Sequence, residues 1–306
     1  METNDNTSRG LVYRTLRAGF RIIPEPHRTS VRDFAQSLVF RGVKPTLKLK
    51  VDAYTGKYRC SVCDRRVAFF LPLDEEFLAE QRRHGFEFSP TEAETCNQKN
   101  YLCPHCEATD RERLYALYLR EYVRDLTPTA PATIVDFAPS YPLSNFIKRL
   151  VLARPRTLVY RTADLMMESV DDTVDLMDMK VYRDGSFDFF ICSHILEHVE
   201  NDRKALSELY RILKPGGRGI LVVPILLIHD EMDEDPSVTD PAERIRRFGQ
   251  DDHVRRYSKA EFLLRTQQAG FSIQQLGAAH FGADTFSEHG ITEQSIVYIV
   301  GKQVVA

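Results

Sequence analysis

"FDFFICSHILEHVENDRKALSELYRILKPGGRGILVVP", residues 187–224, decides the fold. Its first six residues, Phe187 to Cys192, are apolar except for Asp188, the composition of a strand buried on both faces. From about Leu196 to Leu213 the pattern is helical, and Lys214-Pro215-Gly216-Gly217 is expected to end that helix. "RGILVVPI" (218–225) then reads as another strand.

The alternation extends in both directions. "TIVDF" (133–137), "TLVY" (157–160) and "TVDLM" (173–177) are strand candidates upstream, with a helical "PLSNFIKRLVLA" after the first. Downstream, "SKAEFLLRTQQAG" is an amphipathic helix stopped by Gly270, followed by the strand candidates "FSIQQLG" and "SIVYIVG". Strands alternating with helices predict an α/β fold: a Rossmann-like, seven-stranded, doubly wound parallel sheet over residues 132–306. Such sheets bind ligands at the carboxyl ends of their strands.

Within the opening stretch lies His194-x-x-Glu197-His198. As a bare pattern, H-x-x-E-H is the zinc site of inverzincin peptidases, whose histidines sit one turn apart within a helix. Here His194 follows a buried strand and His198 is expected on the first helical turn, so the two need not converge on one ion. No further ligand stands out downstream, and the peptidase reading is set aside. Glu197 and His198 are expected to cap or brace the helix.

Cys60/Cys63 and Cys103/Cys106 form two C-x-x-C pairs. Paired spacing of this kind suits a tetrahedral Zn2+ held by four thiolates, and a full shell makes the site structural. Disulfides are a poor alternative in a reducing compartment. Cys96 and Cys192 fall outside the pairs. After them, "DRERLYALYLREYVRDL" is helical, with Leu114, Leu117, Tyr118 and Tyr122 on one face, and reads as a bridge to the next domain. "TPTAP" (127–131) is the boundary between a small N-terminal zinc-binding module (1–126) and the α/β domain.

At 306 residues and 43% hydrophobic, the chain is an ordinary globular protein. No apolar run reaches the ~20 residues of a membrane helix, and "METNDNTSRG" lacks the apolar core of a secretory signal, so a cytoplasmic location is expected. The net charge of −3 disfavours a protein built for polyanions, yet Arg9–Lys50 carries ten Lys/Arg against Glu25 and Asp33. That segment is either a solvated basic surface or a contact for an anionic substrate, nucleic acid or lipid head group.

On residues 187–224 the chain resembles the class I S-adenosylmethionine-dependent methyltransferases, through F-D-x-[IV], H-[VI]-L-E-H and R-x-L-K-P-G-G followed by a strand. It is most similar to bacterial members of the type 11 kind with an N-terminal cysteine-knuckle module. The resemblance implies S-adenosyl-L-methionine as cofactor. The family's D-x-G-x-G loop maps onto Asp136-Phe137-Ala138-Pro139-Ser140, where the acid is kept and both glycines are replaced. Ser140 and the helix after it are expected to offer donors to the cofactor's methionine carboxylate. Asp164 is the candidate for the ribose hydroxyls, a few residues late. Asp178 is the candidate for the adenine amine, with Met179 beside the ring. Cys192, Ser193 and His194 line the methionine end.

Methyl transfer by in-line displacement needs alignment and, for some acceptors, a base. His194 is the first candidate, and His253, oriented by Asp252, the second. Residues 226–257 form a long charged insert expected to act as an acceptor lid, whose arginines suit an anionic group or pair with neighbouring acids. The leading reading is a methyltransferase for a small-molecule acceptor such as a sugar, polysaccharide precursor or secondary metabolite. The alternatives are an RNA or protein methyltransferase docking through the zinc module, and a non-catalytic binder of the same fold. No aromatic-rich basic stripe supports nucleic acid.

Overall fold

The computed structural model describes residues 56–86, 92–127, 130–228 and 230–304. The basic segment Arg9–Lys50 lies outside them. Among the described residues no helix is long and apolar enough to cross a membrane.

Elements run in the order β1 (Tyr58–Arg59), β2 (Arg66–Val67), α1 (Glu75–Arg83), α2 (Asp110–Asp125), β3 (Ala132–Phe137), α3 (Tyr141–Ala153), β4 (Leu158–Asp164) and β5 (Asp172–Thr173). Then follow β6 (Phe187–Ser193), α4 (Asp202–Ile212), β7 (Leu213–Val222), β8 (Asp233–Glu234), α5 (Pro241–Phe248) and β9 (Arg255–Arg256). The chain ends with α6 (Lys259–Gln268), β10 (Ser272–Leu276), α7 (Ala278–Phe281), α8 (Ala283–Glu288) and β11 (Val297–Gly301).

All seven predicted strands enter one sheet, in the order β10-β11-β7-β6-β3-β4-β5. The sheet is mixed, where an all-parallel one was expected. β11 runs antiparallel to both β7 and β10, while β3, β4, β5, β6 and β7 are parallel. β3 and β6 pair at the centre, where the winding reverses.

Three boundaries differ from the sequence expectation. The helix predicted from Leu196 starts at Asp202, with the Asn201 side chain accepting from the Lys204 amide. Residues before it cannot join, because the Arg255 guanidinium takes the carbonyls of Leu196, Val199 and Glu200, and the Val254 amide takes that of Glu197. His198 therefore sits in a turn, and Asn201 does the capping expected of Glu197 and His198. "KPGG" lies inside β7: Leu213 pairs with Phe187, and the next pair is Phe189 with Arg218, so the intervening residues bulge out. Gly216 takes a left-handed φ of 80° there. Of "TVDLM" only Thr173 lies in β5, since the Asp175 side chain accepts from the Met177 amide and folds the chain into a turn.

Helix α2 is more than a bridge. A capping box starts it, with Thr109 and Glu112 each bonding the other's backbone amide. Leu114, Tyr115, Ala116, Tyr118 and Leu119 are all buried, and the rings of Tyr118 and Tyr122 pack on Phe189 of β6. Cys60, Val62 and Cys103 belong to the same hydrophobic core as Leu114, Ile191 and Val300.

Candidate active site

Strand register brings the expected cofactor residues together. Asp136 stands opposite Ile191, and Phe137 stands between Cys192 on β6 and Ala163 on β4. Asp136, Asp164, Cys192 and Ser193 thus share the carboxyl edge of the three central strands. Asp164 is not late: β4 runs longer than predicted, and Asp164 is its last residue. Its Oδ1 accepts from the amides of Met166 and Met167, 2.8 and 2.7 Å away, which orients the carboxylate. Asp136 accepts from the Tyr160 hydroxyl at 2.7 Å.

Two residues at this edge are held in the left-handed region without being glycine: Ala138, φ 52°, and His194, φ 55°. Such a conformation costs an L-residue about 1–2 kcal/mol and persists only where surroundings impose it. Ala138 occupies the place of the first motif glycine and keeps a glycine's backbone, anchored by its amide to the Ala163 carbonyl at 2.8 Å. Ser140, in the place of the second, has φ −80° and needs no glycine; it is the N-cap of α3. Replacing Ala138 with glycine is expected to relieve the strain and raise stability by up to ~1 kcal/mol, offset partly by glycine's unfolded-state entropy. A lower urea midpoint for Ala138→Gly would show that the strain relieved is smaller than glycine's unfolded-state entropy cost.

The Ser140 hydroxyl donates to Glu112 Oε1. This places a carboxylate at the N-terminus of α3, where the cofactor's own carboxylate was expected. Cys192 is fully buried and its thiol is pushed well up by burial. Ser193 exchanges a 2.8 Å hydrogen bond with the Tyr115 hydroxyl. Asp178 lies at the surface, paired with Lys180 at 2.8 Å. It borders an open cleft of about 590 Å³ that also touches Met177, Glu200, Asn201 and Lys204. Met179 beside it points into the core, and its amide donates to Glu208.

The His194 ring sits beside Arg111, whose Nη1 is 3.3 Å from both ring nitrogens. Burial, with Arg111, His253 and His198 nearby, holds its pKa well below the ordinary histidine range, so it is neutral at pH 7. His253 is 3% exposed and packs edge-on against His198, ring centroids 4.5 Å apart. Asp252 does not orient it. The Phe248 carbonyl does, 3.1 Å from Nδ1, whereas Asp252 Oδ2 lies 3.5 Å from Nδ1 of His198.

In the insert, the antiparallel pair β8–β9 and α5 form a small layer over the 195–200 turn. Most of its arginines pair internally: Arg247 with Asp233 and Asp235, Arg246 with Glu243, Arg255 with Glu234. Of the two options in the sequence, salt bridges with neighbouring acids account for these three.

The four cysteines converge. Cys60 Sγ is 3.7 Å from Cys106 Sγ, and Cys63 Sγ is 3.8 Å from Cys103 Sγ. Four sulfurs ~2.3 Å from a tetrahedral ion stand ~3.8 Å apart, far beyond a disulfide, so the donor set fits Zn2+. The two knuckles share one backbone turn. In each the first cysteine's amide donates to the carbonyl five residues on, Arg65 or Ala108. In each a left-handed residue follows the second cysteine, Asp64 or Glu107.

Residues 159–221, covering β4 through β7, match a family model described as a methyltransferase domain. The stretch that supplies the strand ends of the site is thus similar to methyltransferase domains. The chain is 34% identical over 95 residues to the uncharacterized methyltransferase YcgJ of Bacillus subtilis, covering 31% of this chain and 33% of that protein. It is 40% identical over 57 residues to the ubiquinone/menaquinone biosynthesis C-methyltransferase UbiE of Hydrogenovibrio crunogenus, covering 19% of this chain and 22% of that one. The chain thus matches about a third or less of the length of these curated relatives. Among solved structures, the CMeT domain of the citrinin polyketide synthase superposes with a TM-score of 0.43 at 14% identity, covering 68% of this chain and 55% of that one.

At the edge of this sheet, sequence reading missed Arg111, Glu112 and Tyr115. They come from α2, outside the alternating strands and helices. The capping-box spacing of Thr109 and Glu112 was visible, but it signals a helix start and says nothing of what that helix covers.

Proposed function

We propose that the chain is an S-adenosylmethionine-dependent methyltransferase acting on a small-molecule acceptor at oxygen or carbon, with a structural zinc on Cys60, Cys63, Cys103 and Cys106. The observation that carries the reading is the glycine-like backbone kept at Ala138, beside Asp164 at the carboxyl edge of the sheet. The cofactor, when bound, supplies a methyl group already activated on a sulfonium.

Asp164, held by two amides, presents its carboxylate to the ribose hydroxyls, and Asp178 faces the adenine side across the open cleft. Asp136, Phe137 and Pro139 hold the loop in which Ala138 leaves the backbone clear. Because Glu112 has taken the Ser140 hydroxyl, the guanidinium of Arg111 is the better partner for the methionine carboxylate. Cys192 and Ser193 form the floor, and Tyr115 fixes the Ser193 hydroxyl. His194 is neutral and accepts a hydrogen bond or proton from an acceptor hydroxyl. Its lowered basicity makes it an aligning group more than a strong base.

Pairing of Arg246, Arg247 and Arg255 with neighbouring acids reduces the free positive charge that residues 226–257 would offer an RNA backbone. The test is calorimetry with S-adenosylhomocysteine. Wild type is expected to bind, and Asp164→Asn, which keeps the turn acceptor but loses the charge, is expected to bind on the order of tenfold more weakly or worse. No binding at millimolar ligand would sink the reading.

A further inference from the structure

The geometry points to a second metal site, for a divalent first-row cation, formed by Glu197, His198 and His253. A carboxylate oxygen of Glu197 and one ring nitrogen from each histidine lie within 4.8 Å of one another. His198 Nε2 is 3.7 Å from Glu197 Oε1, close to the ~3.4 Å between two ligands held ~2.1 Å from a tetrahedral ion.

Three buried polar atoms here, on Glu197 and His253, have no hydrogen-bond partner among the described residues. Both oxygens of Glu197, 1% exposed, accept no hydrogen bond, and neither does Nε2 of His253, 3% exposed. Buried polar groups are nearly always satisfied, so a buried carboxylate without a donor marks a place where something else binds. Glu208, by contrast, accepts from Arg211 and from the Met179 amide, and Asp202 from Tyr257 and Arg265.

The surroundings are those of a ligand set. The Phe248 carbonyl faces His253 Nδ1, which makes Nδ1 the protonated nitrogen and leaves the Nε2 lone pair turned into the cluster. Asp252 Oδ2 stands 3.5 Å from His198 Nδ1, an ion-pair distance, so a carboxylate lies behind the imidazole as in carboxylate–histidine–metal arrangements. Two imidazoles and one carboxylate suit Zn2+, Mn2+ or Fe2+, and three protein donors leave a position for water or an acceptor oxygen. His194 Nδ1, 3.6 Å from Glu197 Oε1, stands at the rim of the cluster, on the strand end of the proposed active site.

The experiment uses the full chain with its cysteine site left loaded, freed of loosely bound metal by dialysis and titrated with Mn2+, which thiolates hold poorly, followed by electron paramagnetic resonance and thermal shift. One Mn2+ per chain at micromolar affinity, with a rise in melting temperature, is expected. Glu197→Gln, nearly isosteric and removing no hydrogen bond, and His253→Ala should each weaken binding at least tenfold and abolish the shift. Glu243→Gln, an exposed carboxylate of α5, should leave both unchanged. Wild type that binds no Mn2+ at millimolar concentration, or variants that bind as wild type does, would overturn the site. Neither outcome bears on S-adenosylhomocysteine affinity, which tests the methyltransferase reading separately.

Discussion

Cys103→Ser is expected to lose the proposed zinc and to lower the melting temperature by roughly 10 °C or more. Structural zinc contributes ~10–16 kcal/mol of apparent binding energy in small modules, and serine replaces a strong thiolate ligand with a weak neutral one. Cys60 and Cys103 are wholly buried, and the knuckle between Cys60 and Cys63 is tied to α2 by Ser61, whose hydroxyl donates to the Arg113 carbonyl at 2.6 Å. Loosening the knuckles therefore loosens the helix that brings Arg111 and Tyr115 to the strand ends. Mass spectrometry should find the cysteine-site zinc in wild type and none there in Cys103→Ser. A strong chelator should destabilise wild type and have no comparable effect on the variant. Zinc-free wild type, or an unchanged melting temperature in Cys103→Ser, would contradict the structural role.

Arg113→Met is expected to cost about 3–5 kcal/mol, read as a lower urea midpoint at unchanged slope. The Arg113 guanidinium is fully buried and donates to five carbonyls, those of Asn100, Tyr101, Ala108, His289 and Gly290. It also lies over the ring of Phe70, 3.7 Å from the centroid. Methionine fills much of the volume and supplies no donor, so several buried carbonyls lose their partner at once. Lysine should not rescue: a three-donor point charge cannot reach five acceptors spread around a planar fork. The contact joins three separate pieces: the second knuckle, α2, and the loop before β11. A midpoint within error of wild type would mean that these carbonyls find other partners. Carbonyl dipoles and the nearby Asp110 support the charge, against a burial that pulls its pKa down.

The seven strands were legible because each is a short β-branched or aromatic run bounded by a turn or helix signal, and local composition is enough to mark such runs. Their carboxyl ends followed from the alternation, and with them the neighbourhood of Asp136 and Cys192; Asp164 was read as lying beyond its strand because "TLVY" marks only the first part of β4. The cysteine pairs were legible because knuckle geometry is set within four residues. The helix start at Asp202 was not, since Arg255, more than 50 residues away, claims the carbonyls that would have extended the helix.

The H-x-x-E-H pattern shows the division most plainly. Reading along the chain, His194, Glu197 and His198 were judged together because they are neighbours, and no third ligand stood out. Folding selects a different set: Glu197 and His198 meet His253, 55 residues beyond His198, while His194 turns through a left-handed backbone toward Arg111. By itself the sequence determined the α/β alternation, the methyltransferase-like strand ends and the four-cysteine cluster, all products of local spacing. Only the tertiary structure decided the reversal of β11, the arrival of Arg111 over the strand ends, and which histidines share a carboxylate. Those depend on packing between segments far apart in the chain, which no local pattern records.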